Sequence, residues 1–291
     1  MPDGEIEIES DFNNVTVCKS GKTRFKIFGL QGDEYPVIPP VEKTSSFTLQ
    51  AKKLREMIRQ TIFSVAVDDT KPVLTGELLQ YKDNALHIVA VDGFRISYKR
   101  EDLDNNSTDS ANMSVVVPAK ALHELSRILP GDGDEELKFY FTDKRIVFEL
   151  AKYTFVSRLL EGDFIRYDQI FNEDFTTNVT VGRAAFLTGL ERATLIARDN
   201  KKSPVKLDIK ENSIEITSNT EMGTSFDEVQ ADVDGNTIEI AFNPRYLIEA
   251  IKAIDEERIV MRFTTGLSPC ILKGAESDTG KYLILPLRIR G

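Results

Sequence analysis

FTLQAKKLREMIRQTIFSVAVDDTKPV, residues 47–73, returns in altered form as VTVGRAAFLTGLERATLIARDNKKSPV, residues 179–205. The offset is 132 residues and needs no gap: Phe47 falls on Val179, Leu54 on Phe186 and Pro72 on Pro204. Each copy reads as a short alternating strand, an amphipathic helix, and a charged turn whose proline opens the next strand. Self-similarity of this kind means two copies of one structural unit. A second pair, at an offset of 125, supports it. VVVPAKALHELSRIL from Val115 resembles IAFNPRYLIEAIKAI from Ile240, with Leu122 on Leu247 and Glu124 on Glu249. In both, a strand is expected to run directly into a helix whose first turn holds Pro118 or Pro244, where a missing N–H costs nothing.

The two units are placed at 45–167 and 177–291. Between and after their helices lie alternating stretches that read as strands, among them LHIVAV (86–91), LKFYF (137–141), RIVFEL (145–150), SIEITS (213–218) and NTIEIAF (236–242). Two helices on one face of a largely antiparallel sheet make each unit α+β. Residues 1–42 are too few for a third unit, but their strand–turn–strand pattern echoes the end of one. They are read as the C-terminal remnant of a first domain, as a fragment or a truncated gene model would leave. Gln31–Lys43 and Arg166–Thr177 then serve as connectors.

Composition narrows the function. The chain has 291 residues, is 41% hydrophobic and carries a formal charge of −10. It contains no apolar run near the length of a membrane span, and its start, MPDGEIEIES, lacks the pattern of a secretion signal. A cytoplasmic protein without membrane contact is expected. Cys18 and Cys270 are read as buried thiols of a reducing compartment. His87 and His123 form no chelating spacing with them, so no metal or cofactor is expected. Asp68-Asp69 and GDGDEE (131–136) read as solvated turns, Asp92-Gly93 as a tight turn, and Leu74 as a strand residue of the core. No GxSxG, nucleotide-binding glycine loop or HExxH is present, and no catalytic residue is nominated. The residues favour binding over chemistry.

The positive charge has a pattern. The first predicted helix carries Lys52, Lys53, Arg55 and Arg59 against Glu56, and residues 119–129 carry Lys120 and Arg127 against Glu124. The segment 183–198 has Arg183, Arg192 and Arg198 against Glu191. The helix from Pro244 has Arg245 and Lys252, then an acidic end at 255–257. Two readings stand side by side: ordinary solvated faces, or a basic layer presented to a polyanion through phosphate contacts. With no aromatic stripe on these helices, a duplex fits the second reading better than a single strand. The tail, KYLILPLRIRG (281–291), is too apolar for a frayed end. It reads as the last strand of the core, as the wall of a binding groove, or as both.

These residues bring a resemblance with them. EYPVIP (34–39), IFSVAVDDTKPVLTG (62–76), VDGFRIS (91–97), SVVVPAKALHEL (114–125), SRLLEGDF (157–164), VKLDI (205–209), IEITSN (214–219) and LILPLRI (283–289) resemble, in order, the bacterial sliding clamps, the beta subunits of DNA polymerase III. The resemblance implies three copies of the domain per subunit and a head-to-tail homodimer forming a ring, with helices lining the hole and sheets outside. It implies a non-catalytic subunit of a DNA-directed DNA polymerase that encircles double-stranded DNA and tethers its partners. The implied partners are the polymerase catalytic subunit, the clamp loader, and repair and translesion proteins.

The resemblance also implies a peptide groove formed by Leu74, Val91, Gly93, Phe94, Arg95 and Ile96 on one side. Leu283, Ile284, Leu285, Pro286, Leu287 and Arg288 close it on the other. Ile165 stands where many clamps have proline, and Gln169, beside Ile170, where a basic residue is usual, so the rim is expected to differ. With most of a first domain absent, the chain is expected not to close a normal ring. A peptide-binding scaffold that no longer embraces DNA is the alternative, and loading onto nicked circular DNA separates the two.

Overall fold

The positions that coincide between the two repeats are the ones that build cores. Phe47 and Val179, Leu54 and Phe186, and Leu122 and Leu247 are all fully buried. In the computed structural model the described residues are 1–35, 46–68, 70–103, 113–171, 174–195 and 203–288. They fall in two compact units, Met1–Glu42 and Lys43–Gly291.

The first unit is a three-stranded antiparallel sheet of β1 (Glu7–Ser10), β2 (Val15–Ser20) and β3 (Thr23–Phe28) in that order. The expected strand–turn–strand is β2 and β3. Cys18 lies in β2 and is only half-buried, because three strands alone supply no opposing layer to cover it.

The second unit runs β4 (Ser46–Gln50), α1 (Ala51–Thr61), β5 (Gly76–Lys82), β6 (Ala85–Val91), β7 (Arg95–Asp102), β8 (Met113–Pro118), α2 (Ala119–Ile128), β9 (Glu136–Phe141), β10 (Arg145–Leu150) and β11 (Tyr153–Arg158). The order then repeats with β12 (Thr177–Gly182), α3 (Arg183–Thr194), β13 (Val205–Ile209), β14 (Ser213–Thr220), β15 (Gly223–Gly235), β16 (Ile238–Phe242), α4 (Pro244–Ala253), β17 (Arg258–Phe263), β18 (Cys270–Gly274) and β19 (Gly280–Ile284). β11, β10, β9 and β4 form one sheet. The other twelve strands form a second, in the order β16-β13-β14-β15-β12-β17-β18-β19-β7-β6-β5-β8.

The join in that long sheet is the tail strand. β19 pairs with β18 on one side and with β7 on the other, with Leu283 opposite Ile96 and Ile284 opposite Arg95. The bonding continues past both ends of β19. Arg100 donates its N–H to the Thr279 carbonyl at 2.7 Å, and Leu285 donates to the Phe94 carbonyl at 2.9 Å. The tail is therefore an interior strand joining the repeats, and not the edge of the second one.

All four helices lie side by side, in the order α2, α1, α4, α3, against the sheets. Salt bridges stitch neighbours together: Arg59 to Asp255 at 2.6 Å and Lys252 to Glu191 at 2.7 Å. Beneath them sit two cores, one around Phe47, Leu54, Leu122 and Phe139, the other around Phe186, Leu190, Phe242 and Leu247.

Two local expectations change. Leu74 is not in a strand: Pro72–Thr75 is a 3-10 turn, and β5 begins only at Gly76. The proline has no N–H for a ladder, and the chain closes instead through Leu74 N–H to the Lys71 carbonyl at 2.9 Å. Pro118 is the last residue of β8 and the cap of α2, whereas Pro244 is the first residue of α4. The 125-residue offset indeed sets Pro118 against Asn243, whose side chain accepts from the Arg245 N–H. Of the acidic turns, Asp68 accepts from the Thr70 N–H at 3.2 Å, while Asp69 lies outside the described residues.

Glu77, on β5, is wholly buried, and among the described residues neither carboxylate oxygen has a hydrogen-bond partner. The neighbouring Thr61 hydroxyl donates to the Met57 carbonyl at 2.8 Å. Burial pushes the carboxyl up to about 8 from an ordinary 4.5, offset only in part by Thr61. The folded protein holds this proton where the unfolded chain has lost it. Glu77 therefore favours folding below pH 4.5, and that contribution is lost as pH rises through about 8. Glu77→Gln should raise the thermal midpoint by an amount that grows across this interval and then levels. A pH series of melting curves checks it, and a difference constant with pH would count against a protonated Glu77.

Candidate groove and helix surface

Strand alternation sorts the groove residues to two faces. On the face away from the helices, Leu74, Val91, Ile96 and Leu283 meet Leu78, Val89, Val116, Tyr167 and Ile271 in a third apolar cluster. Val73, Phe164 and Ile165 pack around it. Beside this cluster is a concavity of about 600 Å³ lined by Leu78, Gln80, Val116, Phe164, Ile165 and Gln169, among others. The structure thus brings Leu74, Val91, Ile96, Ile165 and Leu283 together, with Gln169 at the rim.

Ile284 and Arg95 point elsewhere. Ile284 belongs to the core of the second repeat, as its place one residue after Leu283 requires. Arg95 is buried on the helix side of β7. Its Nε donates to Asp92 at 2.9 Å, its Nη1 pairs with Glu249 of α4, and its Nη2 donates at 2.5 Å to the Phe63 carbonyl. Its guanidinium also lies 4.4 Å from the Tyr246 ring centre and 5.3 Å from that of Phe63. Arg95 therefore does not open to the groove; it fastens the turn that does.

That turn is the expected one. Gly93 has φ +89°, and Asp92 Oδ1 accepts from the N–H groups of Phe94 and Arg95 at 2.9 and 3.1 Å. Phe94 is left 57% exposed, with its ring 6.4 Å from Tyr246. Beyond β19 the tail runs on beside it. Leu285 and Leu287 stay more than a third exposed on either side of Pro286, and Leu287 donates its N–H to the Ala241 carbonyl at 2.8 Å. Arg288 is exposed at the end of the described tail.

The far wall is held by Tyr167. Its hydroxyl donates to Gln80 at 2.7 Å, its ring meets Tyr98 and carries Lys82 above it, and Lys82 pairs with Asp168 at 3.0 Å. Burial raises the Tyr167 hydroxyl well above its ordinary value, so it stays a donor. Gln169 closes this 3-10 turn, and Ile170 follows it, 39% exposed. Tyr167, Tyr246, Glu249 and Phe63 were not among the residues expected from sequence. Glu249 lies 154 positions from Arg95, and no local pattern links them.

The opposite face is the helix layer. The four helices carry ten lysines and arginines against four glutamates. The rest of the chain is left with 27 basic and 43 acidic residues. Lys52 pairs with Asp134 at 3.0 Å, Arg127 with Glu124 at 3.0 Å, Arg192 with Asp227 at 2.6 Å and Arg245 with Glu249 at 2.8 Å. Arg59 and Lys252 make the interhelix bridges. Arg183 donates to the Glu256 carbonyl at 2.9 Å. Arg55 and Lys120 are exposed, and Arg198 lies outside the described residues.

Comparison with known proteins agrees with this architecture. The family model described as DNA polymerase III beta subunit, central domain, matches residues 48–165, and that for the C-terminal domain matches residues 168–288. The beta sliding clamp of Staphylococcus epidermidis is 33% identical over 290 residues, which are 99% of this chain and 76% of that protein. The crystal structure of the DNA polymerase sliding clamp from Bacillus subtilis superposes with a TM-score of 0.92 at 33% identity, over 98% of this chain and 75% of that one. The Thermotoga maritima beta subunit gives 0.89 at 28%, over 98% and 76%. Repeated α+β units joined through one sheet, with helices on one side, define a DNA clamp. The chain belongs to the bacterial beta sliding clamp family, the beta subunits of DNA polymerase III, and its function is that of a DNA sliding clamp.

The role of Arg95 is testable by substitution. Removing Arg95 takes the guanidinium from Asp92 and Glu249, which keep only the N–H groups of the turn and Arg245, a loss of about 1–3 kcal/mol for part-buried charged hydrogen bonds. Arg95→Ala should unfold at correspondingly lower urea, and Arg95→Lys should rescue little because an ammonium cannot reproduce the fork. Phe94→Ala should change stability by less than about 1 kcal/mol. Equal midpoints for Arg95→Ala and Phe94→Ala would contradict this role.

Proposed function

We propose that the chain is the processivity subunit of the replicative DNA-directed DNA polymerase, itself without catalysis. In this reading it acts in the cytoplasm with its helices turned toward duplex DNA, as in the homodimeric ring of the full-length family, and recruits partners through the groove. The observation that carries it is the segregation of charge: a net positive helix layer in a chain whose remainder is strongly acidic. The same segregation speaks against a scaffold that has given up DNA. Residues 45–167 and 177–291 are read as the second and third clamp domains, each with its own core, and 1–42 as part of the first. Basic residues of the inner layer would contact phosphates without reading sequence, so the ring can slide.

The groove takes an extended peptide. Leu74, Val91, Ile96 and Leu283 form its apolar floor. Gly93 and Phe94 bound one end together with Leu285, Pro286, Leu287 and Arg288, and Ile165, Gln169 and Ile170 form the far rim. Ile284 and Arg95 act from behind. Its partners are short aliphatic segments of the polymerase catalytic subunit, the clamp loader, and repair and translesion proteins. A few aliphatic side chains set in such a floor dominate affinity. Gln169 carries no charge, so that position selects by shape and hydrogen bonding, while Asp163, Arg166 and Asp168 bring charge to the same concavity.

A fluorescein-labelled peptide of glutamine followed by a leucine-rich end tests this by anisotropy. Binding in the micromolar range is expected, weakened about tenfold or more, near 1.4 kcal/mol, by Leu287→Lys. Leu287 is exposed, so the fold accommodates lysine there, and Leu74→Lys should act in the same direction. A parent chain that ignores the peptide, or a Leu287→Lys variant that binds it equally well, would contradict the groove.

A further inference from the structure

Ten cations on four helices suggest a uniform inner lining, but their partners differ. Seven have a carboxylate beside them: Lys52, Lys53, Arg59, Arg127, Arg192, Arg245 and Lys252. Arg183 is half-buried and directed at a backbone carbonyl. Among the described residues this leaves Arg55 and Lys120 as the exposed helix cations with no carboxylate beside them. Both belong to α1 and α2.

The spacing of the basic residues differs in the same way. Lys52, Arg55 and Arg59 stand at i, i+3 and i+7 on α1, one stripe along one face. Lys120, His123 and Arg127 repeat that spacing on α2. The helices pack together, and between them runs a cleft of about 440 Å³ whose lining includes Lys52, Arg55, Arg59, His123 and Arg127. Among the described residues Glu56 is the one carboxylate in its lining, while Asp134, Asp255 and Glu124 pair with Lys52, Arg59 and Arg127 from outside it and leave Arg55 unpaired. Gly131, after α2, has no side chain to obstruct the Arg55 guanidinium, which lies where its Cβ would be. On α3 and α4 there is no matching stripe, and Glu191, Asp227 and Glu249 neutralise the cations there.

We propose that the α1–α2 cleft is the principal phosphate site of this chain, and that one strand of a duplex backbone lies along it between the two stripes. The inference rests on the reading that the helix layer faces DNA, and adds that the grip is uneven. A phosphate gains most from a cation that has no carboxylate to compete with, and each such contact releases condensed counterions. Arg55 lines the cleft, and Lys120 stands one turn before His123, just outside its lining; these two make the strongest contacts. Arg192 and Lys252, held by their own acids, let the backbone pass.

The test is direct binding of the full chain to a fluorescein-labelled 20-base-pair duplex, by anisotropy, over a series of NaCl concentrations. Arg55→Ala and Lys120→Ala should each weaken binding several-fold at low salt. Each should also reduce the slope of log K against log [NaCl] by about 0.9, one lost phosphate contact. Arg192→Ala and Lys252→Ala should lower the slope by clearly less than Arg55→Ala does, and melting curves should show all four variants folded. A slope reduced equally by Arg192→Ala and Lys252→Ala overturns the uneven grip while sparing the DNA-facing reading. A parent that shows no salt-dependent binding overturns both.

Discussion

The hydrogen-bonding of β19 on both edges is the constraint from which the rest follows. A strand paired on one side would end the second repeat and leave a gap between two domains. Paired to β18 and β7 together, it turns two domains into one twelve-stranded sheet. That sheet presents one continuous face to four helices and another to the groove. Alternation along Tyr282, Leu283 and Ile284 then places successive side chains in core, groove and core. The apolar tail is stable because its backbone is satisfied from both sides and its side chains are divided between two buried layers.

The two repeats have diverged where they serve different ends. Glu124 and Glu249 occupy the same place in the repeat. Glu124 holds Arg127 at the surface of α2, while Glu249 reaches down to Arg95 and also binds Arg245. One glutamate thus keeps a helix solvated, and the other ties the groove turn to the helix layer. The turn carrying Phe94 is fastened by charge from the side opposite its ligand face, while the far wall of the groove carries its own pair, Lys82 with Asp168.

Much of this was legible in the chain. The 132-residue repeat is readable because equivalent core positions must stay apolar whatever else changes, and Phe47/Val179 and Leu54/Phe186 do. Alternation located the strands, and Asp92-Gly93 located the turn, since local chemistry decides both. Arg95 was readable as important but not as to its face: a residue beside a turn is assigned its side by the partner it finds, and Glu249 is distant in sequence. Ile284 enters the groove through the resemblance, which carries a whole motif over at once, whereas strand alternation sends it to the core. Leu74 was taken for a strand residue because the turn that holds it is built from backbone hydrogen bonds, to which a proline contributes only by the N–H it lacks.

Amide hydrogen exchange of the chain, alone and saturated with the leucine-rich peptide, tests the account most directly. The account predicts slowed exchange at 91–97, 164–170 and 283–288 together, because one sheet face and the tail that seals it form a single site. Protection confined to one of these segments, or placed on α1 to α4 instead, would contradict it.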